Sequence, residues 1–291
     1  DRAVAFDRLC TNIVKGYRGV VYCVLNNVYD ANNCVQVERV QGYVDLLESH
    51  DFELWLLSPA TVGLAAARGD VICRVAGAGP AILMDDDAWT FAATKRSNHR
   101  FVSQKLTFAG VVERLLIAHR EVPTSMVIGI QHWYRHASSP DDDGAVVQGL
   151  QHLAFQPLLL NLPSPVPREI LPTWSSVEDD EFAYRVHEHY GSESILKLRY
   201  IIAKFDVGHM GGGLQGRGGG NEQLQRARRL QAAEAEEIVR AHPKAFQLVK
   251  SATKGRLSGI RARLRVDTSQ QRPVQIRGAP AGRAIERAVR P

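Results

Sequence analysis

The chain of 291 residues contains no run of about eighteen uncharged apolar residues, so it offers no helix of membrane-spanning length. Its longest apolar stretches, such as Phe155 to Leu162, are too short and are broken by Gln156 and Pro157. Cysteine is scarce: Cys10, Cys23, Cys34 and Cys73, none of them in a CxxC pair. A chain of this length needs no staples, so the expectation is four reduced, mostly buried thiols. A zinc site on Cys23 and Cys34 has no spacing signature behind it. There is no Gly-x-Ser-x-Gly elbow and no catalytic-cysteine signature. A Ser/His/Asp site assembled in space from distant positions would leave no such mark, but nothing in the sequence supports one. No reaction class is identified by these residues. The first residue is Asp1 rather than Met, which fits a removed leader, a cut from a precursor or deliberate trimming.

What is present is an ordinary globular composition, 45% hydrophobic and 23% charged, with a formal net charge of +5. The charge is unevenly spread. Residues 222–291 hold sixteen Lys and Arg against six Asp and Glu, a net +10. The remainder holds twenty against twenty-five, a net −5. A mildly acidic body, 1–207, therefore precedes a basic C-terminal helix and arm, 221–291. Between them lies a connector, 208–220, in which eight of thirteen residues are glycine.

Pattern and turn residues predict an α+β fold with a strand-rich N-terminal half, a helical C-terminal half and an extended basic C-terminal arm. Strands are expected at Val20–Val28, Val35–Val44, Phe52–Leu57, Val71–Val75, Phe101–Phe108 and Met126–Tyr134. Short helices are expected around Val4–Val14 and Val111–Leu116. Further on, the spacing of Val146, Val147, Leu150 and Leu153 predicts a helix over Asp143–Leu160. Five prolines within residues 157–172 predict an extended surface strap over Leu162–Pro172. Acids at Glu178, Asp179 and Asp180 predict a helix start, since they favour the positive end of the helix dipole. That helix should run to Tyr190, and a second should span Ser192–Phe205.

Several clusters invite a functional reading. Gly77-Ala78-Gly79-Pro80-Ala81-Ile82 lacks the third glycine of a dinucleotide turn and reads as a plain turn. Gly208–Gly220 lacks the Lys-Ser/Thr of a phosphate loop and reads as a linker. His132 and His136 share a face on a helix or a strand, yet no zinc-protease glutamate accompanies His132. His187 and His189 point apart on a helix. Asp85-Asp86-Asp87 and Asp141-Asp142-Asp143 lack calcium-loop spacing and read as a turn and a helix start. No metal or cofactor is expected.

The basic extension stands apart. Asn221 can cap a helix ending at Ala241 before Pro243, with Arg226, Arg228 and Arg229 near its positive end. That placement opposes the dipole and so favours an outside anion. Ile260–Val266 alternates strictly, and as a strand it puts Arg261, Arg263 and Arg265 on one face with an apolar face behind. Lys250, Lys254 and Arg256 lie just before it. Arginine donates two parallel hydrogen bonds to phosphate, and Phe246 is the sole aromatic residue beyond position 221. Contact with RNA or DNA should therefore run through the backbone and tolerate any sequence. These features predict a non-enzymatic structural subunit of a large nucleic-acid-containing assembly, of the viral-capsid type. Its partners would be other subunits of that assembly and an RNA or DNA backbone, with no membrane. The setting would be a virion or the cytoplasm. An organellar ribosomal or ribonucleoprotein component in the mitochondrial matrix is the alternative, and an enzyme with a dispersed site stands behind both.

Overall fold

The structure is a computed structural model, and it describes residues 11, 17, 19–25, 34–50, 52–61, 63–85, 88–97, 100–131, 138–153, 157–174, 177–205, 221–250 and 260–276. The fold is α+β, with strands dominating the N-terminal half and helices later. The first unit among the described residues is β–α–β. Strand β1 (Tyr22–Leu25) pairs in parallel with β2 (Glu53–Leu56), and helix α1 (Val37–His50) crosses between them. Helix α2 (Leu64–Val75) follows, then β3 (Ala81–Leu83), β4 (Ala88–Ser97) and β5 (Arg100–Leu106).

Helix α3 (Phe108–Glu121) forms where the sequence placed one. The Thr107 hydroxyl accepts from the Gly110 N–H at 3.1 Å, and Phe108, Val111, Val112, Leu115 and Ala118 fall on one buried face. Next come β6 (Val127–Gln131), β7 (Val146–Gln148), β8 (Leu158–Leu160), α4 (Glu178–Tyr190) and β9 (Ile195–Phe205). The last described elements are α5 (Asn221–Ala241), β10 (Phe246–Lys250), β11 (Ile260–Leu264) and the two-residue β12 (Arg272–Pro273).

The main sheet runs β12-β7-β9-β6-β8-β3, with β4 on β9 and β5 on β4. Strand β9 is its axis. Leu196 is bracketed by Ile128 of β6 and Gln148 of β7, and Ile202 by Gln131 of β6 and Ala92 of β4. Strands β7 and β4 thus occupy the same side of β9 in succession, and β6 lies along the other in parallel. One core gathers α1, α3, β1 and one side of the main sheet; a second gathers α2, α4 and β8. Gly129 in β6 is fixed by close approach, because a Cβ there would meet Leu153 Cδ2 at 2.7 Å and Leu158 Cδ1 at 3.3 Å.

Four sequence expectations are corrected. Val35–Val44 was expected as a strand for its valines and tyrosine, but Val40 and Leu47 are buried at helical spacing, and the segment belongs to α1. Val71–Val75 is the last turn of α2, whose run Leu64-Ala65-Ala66-Ala67 favours helix. The helix expected over Asp143–Leu160 is absent from the described part of that segment. Gly144 and Gly149 sit at φ 82° and 117°, outside helical backbone, and separate short strands replace it. The helix expected over Ser192–Phe205 is one short 3₁₀ turn followed by β9, whose apolar run is buried on both faces and carries no period that separates helix from strand. The helices Glu178–Tyr190 and Asn221–Ala241 form as expected.

The proline-rich strap is extended but not wholly superficial. Leu162 and Ile170 are buried, the latter in a 3₁₀ turn at Arg168–Ile170. Its end is fastened by one carboxylate. Glu181 of α4 is fully buried and accepts from the Thr173 N–H and hydroxyl, both at 2.7 Å, and from the Trp174 N–H at 2.9 Å. Arg185, one turn on, completes the set with Nη2 at 2.6 Å from Glu181 Oε1, and its guanidinium lies over the Trp174 ring. Removing that carboxylate would leave two backbone donors and the Thr173 hydroxyl without their acceptor and take from Arg185 its ion pair, leaving the guanidinium only its bonds to the Glu169 carbonyl and Thr173 Oγ1. Glu181→Ala is expected to cost about 3–5 kcal/mol of stability in urea unfolding; a loss below about 1 kcal/mol would show that the strap is held by other contacts.

Candidate nucleic-acid interface

Strands β10 and β11 pair antiparallel, with Phe246 opposite Leu264, Gln247 opposite Arg263, Leu248 opposite Ala262 and Val249 opposite Arg261. Alternation sorts this ladder. Phe246, Ala262 and Leu264 are buried with Ala235 and Ile238 of α5, and Trp174, Val177 and Tyr184 pack against the same cluster. Arg263 and Arg265 are exposed. Register position 261 shares the face of 263. Arg265 is partly tied down: its Nε donates to the Phe246 carbonyl at 3.3 Å, and its backbone N–H to the Ala245 carbonyl at 2.6 Å.

Arg229 is exposed on α5, about half a turn from the face that Ala235 and Ile238 present to the hairpin. It does not join the row on β11. Its neighbours on the exposed side, Glu236, Glu237 and Arg240, carry both signs. The side chains of Arg226, Arg228, Lys250 and Arg261 lie outside the described residues, as do Lys254 and Arg256 entirely. None of Arg229, Arg263 and Arg265 forms an ion pair with a described residue. Phe246 is fully buried, so it is not offered to a base.

A second polar cluster lies inside the body. Lys197 of β9 is 6% exposed and donates from Nζ to the His152 carbonyl at 2.5 Å. The His152 ring Nδ1 is 3.1 Å from Asp180 Oδ1 at the start of α4. Arg199 Nη2 donates to Gln271 Oε1 at 2.6 Å, and Gln271 Nε2 donates to the Leu150 carbonyl at 3.3 Å. The cluster ties the 150–152 loop to β9, α4 and the returning C-terminal segment. Burial pulls the Lys197 ammonium down to about 8; the Arg199 charge adds to this, and Asp180 opposes it. Glu178 is pushed up to about 8, first by burial and then by Asp179 and Glu234, against its own backbone hydrogen bond and Arg68.

The remaining sequence candidates scatter. Asp85 pairs with Arg68, and Asp142 accepts from the Ser139 N–H at 2.8 Å within a turn. Gly77 and Ala78 form a turn after α2, where the Gly77 N–H donates to the Leu162 carbonyl at 2.9 Å. His187 and His189 sit near separate acids, Glu188 and Glu169. His132, His136, Asp86, Asp87 and the stretch 208–220 lie outside the described residues. Among the described residues no group of three or more His, Cys, Asp or Glu could hold a metal ion. The burial of the thiols differs from expectation: among the described cysteines Cys23 is buried, but Cys34 and Cys73 are exposed. Among the described residues, no helix is long and apolar enough to cross a membrane.

No protein-family model matches the chain, and no curated protein matches it. A solved structure described as "Crystal Structure of a Mycobacterial Protein" is similar over 94% of this chain and 81% of that one, at 11% identity and a TM-score of 0.43. An overlap of that size defines neither fold nor function.

The buried lysine makes a signed prediction. Between its folded value near 8 and its free value of 10.5 the unfolded chain binds more protons, so stability rises with pH across that window. Wild-type stability relative to Lys197→Met should therefore climb by roughly 3 kcal/mol from pH 7 to 10.5 in pH-resolved urea unfolding. Parallel curves for the two proteins would show that Lys197 is solvated in the folded state. Glu178 carries the opposite sign: Glu178→Gln should gain stability over wild type as pH rises from 4.5 to 8.

Proposed function

We propose that the protein is a non-enzymatic structural subunit of a large nucleic-acid-containing assembly, of the viral-shell type, and that its C-terminal hairpin contacts phosphate. The observation that carries this reading is the sorting of the β10–β11 ladder. Its apolar face docks on α5, while Arg263 and Arg265 stand exposed and unpaired with any described acid. A guanidinium row on a docked strand meets a repeating anion at a fixed spacing of about 6.7 Å between alternate positions. With Phe246 buried, base stacking has no platform on this hairpin, which leaves backbone contact of low sequence preference.

The buried Lys197–His152–Asp180 cluster gives the enzymatic alternative little to use. Lys197 already donates to a backbone carbonyl, and the cluster fastens a loop. On this proposal the protein resides in a particle beside other copies of itself or other subunits.

Point substitution tests this better than truncation, because residues 272–274 return to the main sheet and their loss would uncover β7. The triple variant Arg261→Gln, Arg263→Gln, Arg265→Gln should flatten the dependence of log affinity on log salt for a nucleic-acid duplex by about 2 to 3. An unchanged slope in fluorescence anisotropy rejects the hairpin as the contact. Light scattering of the purified protein should show a closed particle or a multi-subunit species. Co-purified rRNA would favour the ribonucleoprotein alternative, and a stable monomer holding a small ligand would favour an enzyme.

A further inference from the structure

Strand β9 sends two cations to the same side of the sheet. Lys197 and Arg199 are alternate residues, so their side chains share a face, with Cα atoms about 6.7 Å apart. That face meets the 150–152 loop: Lys197 Nζ donates to the His152 carbonyl at 2.5 Å, and Arg199 Nη2 lies 3.4 Å from Gln151 Oε1. Donors outnumber acceptors here. An ammonium carries three N–H donors, and Lys197 places one of them. Gln271 gives Arg199 its oxygen at 2.6 Å and turns its own amide N–H to the Leu150 carbonyl. Gln151 is 3% exposed, and its Nε2 has no hydrogen-bond partner among the described residues. Exchanging the two ends of that amide brings no relief, because it would aim the NH2 group at the Arg199 guanidinium.

The charges are as one-sided as the donors. The groups that act on Lys197 are Arg199 on its own strand, Asp180 at the start of α4 and His152 on the loop. Asp180 is the acid of this set, and its two oxygens lie 3.1 and 3.2 Å from the His152 ring Nδ1. Neither Lys197 nor Arg199 forms an ion pair with a described residue. With His152 counted neutral, the two cations against Asp180 leave one positive charge, at a place where burial makes it costly. A water molecule would accept from Gln151 and Lys197 but would leave that charge as it is. A monovalent anion supplies the acceptor and the opposite charge together. We propose that Lys197, Arg199 and the Gln151 amide form a binding site for one small monovalent anion of the chloride kind, set between the 150–152 loop and β9. The anion fastens the loop to the strand from the inside, on residues separate from the hairpin that contacts phosphate.

The test uses the full chain in sodium chloride and in sodium gluconate of equal concentration, gluconate being a monovalent anion too bulky for an interior site. Two variants are compared with wild type in the same salt, so that general salt effects cancel. Gln151→Leu keeps both cations and removes the unclaimed amide, and Arg199→Gln removes one charge at a half-buried position. The lead of the wild-type thermal midpoint over each variant should grow with chloride along a saturating curve and stay flat in gluconate. A lead that chloride does not change overturns the proposal and leaves water as the partner of the Gln151 amide. A lead that grows equally in both salts overturns it too, since that is screening of the two cations and not binding. The pH-resolved comparison with Lys197→Met places the anion. A bound anion favours the ammonium, so the climb in wild-type stability between pH 7 and 10.5 should be smaller in chloride than in gluconate. Equal climbs put the anion away from Lys197 and overturn the site. None of these outcomes touches the contact assigned to the hairpin, whose salt slope on nucleic acid is read with Arg261, Arg263 and Arg265.

Discussion

The hydrogen-bond ladder along β9 is the constraint on which the rest of the structure depends. Three strands bond to it directly, and β12, β8, β3 and β5 reach the sheet through those three. Its apolar side chains enter both cores: Leu196, Leu198, Tyr200 and Ile201 one of them, and Ile195 the other. The strand that organises the sheet also holds its least comfortable residue. Lys197 gives up hydration to sit between β6 and β7, and its hydrogen bond to the 152 carbonyl offsets that loss only in part. That the lysine stands at the junction of loop, strand and helix indicates that it sets the position of the 150–152 loop.

The C-terminal hairpin is mounted on this frame through rings. Tyr184 of α4 meets Phe246 and His242 edge-on, with centroids 5.7 and 5.2 Å apart, and Trp174 meets His242 at 5.9 Å. Trp174 is the residue whose N–H is held by Glu181. The carboxylate that ends the proline-rich strap therefore also fixes a wall of the pocket in which the hairpin's apolar face rests. A basic row on a mount of this kind keeps its direction relative to the body, unlike charges on a loose tail.

Much of this was legible in the residues, and the failures have separate causes. Helices α3, α4 and α5 were readable because each has a clear period or a charged start, and α5 has a proline just past its end. The alternation at Ile260–Val266 gave β11, since one face is apolar and the other charged. Strand β9 was misread because a run buried on both faces has no solvent-facing side and so loses the contrast on which periodicity depends, and the segment 143–160 because its apolar spacing is helical while Gly144 and Gly149 take positive φ. Val35–Val44 went the other way: its β-branched residues suggested a strand, while the pattern continued to Leu47 at helical spacing. The lysine network was invisible because His152, Asp180, Lys197 and Gln271 meet only after the sheet has formed.

The return of the chain to the body at β12 has a consequence for synthesis. The edge of β7 stays open until Arg272 and Pro273 have been made, more than one hundred and twenty residues after β7 itself. A nascent chain leaving the ribosome N-terminus first thus spends its later elongation with an unsealed sheet margin, a template onto which another nascent strand could add. The protein closes that margin with almost its last described residues.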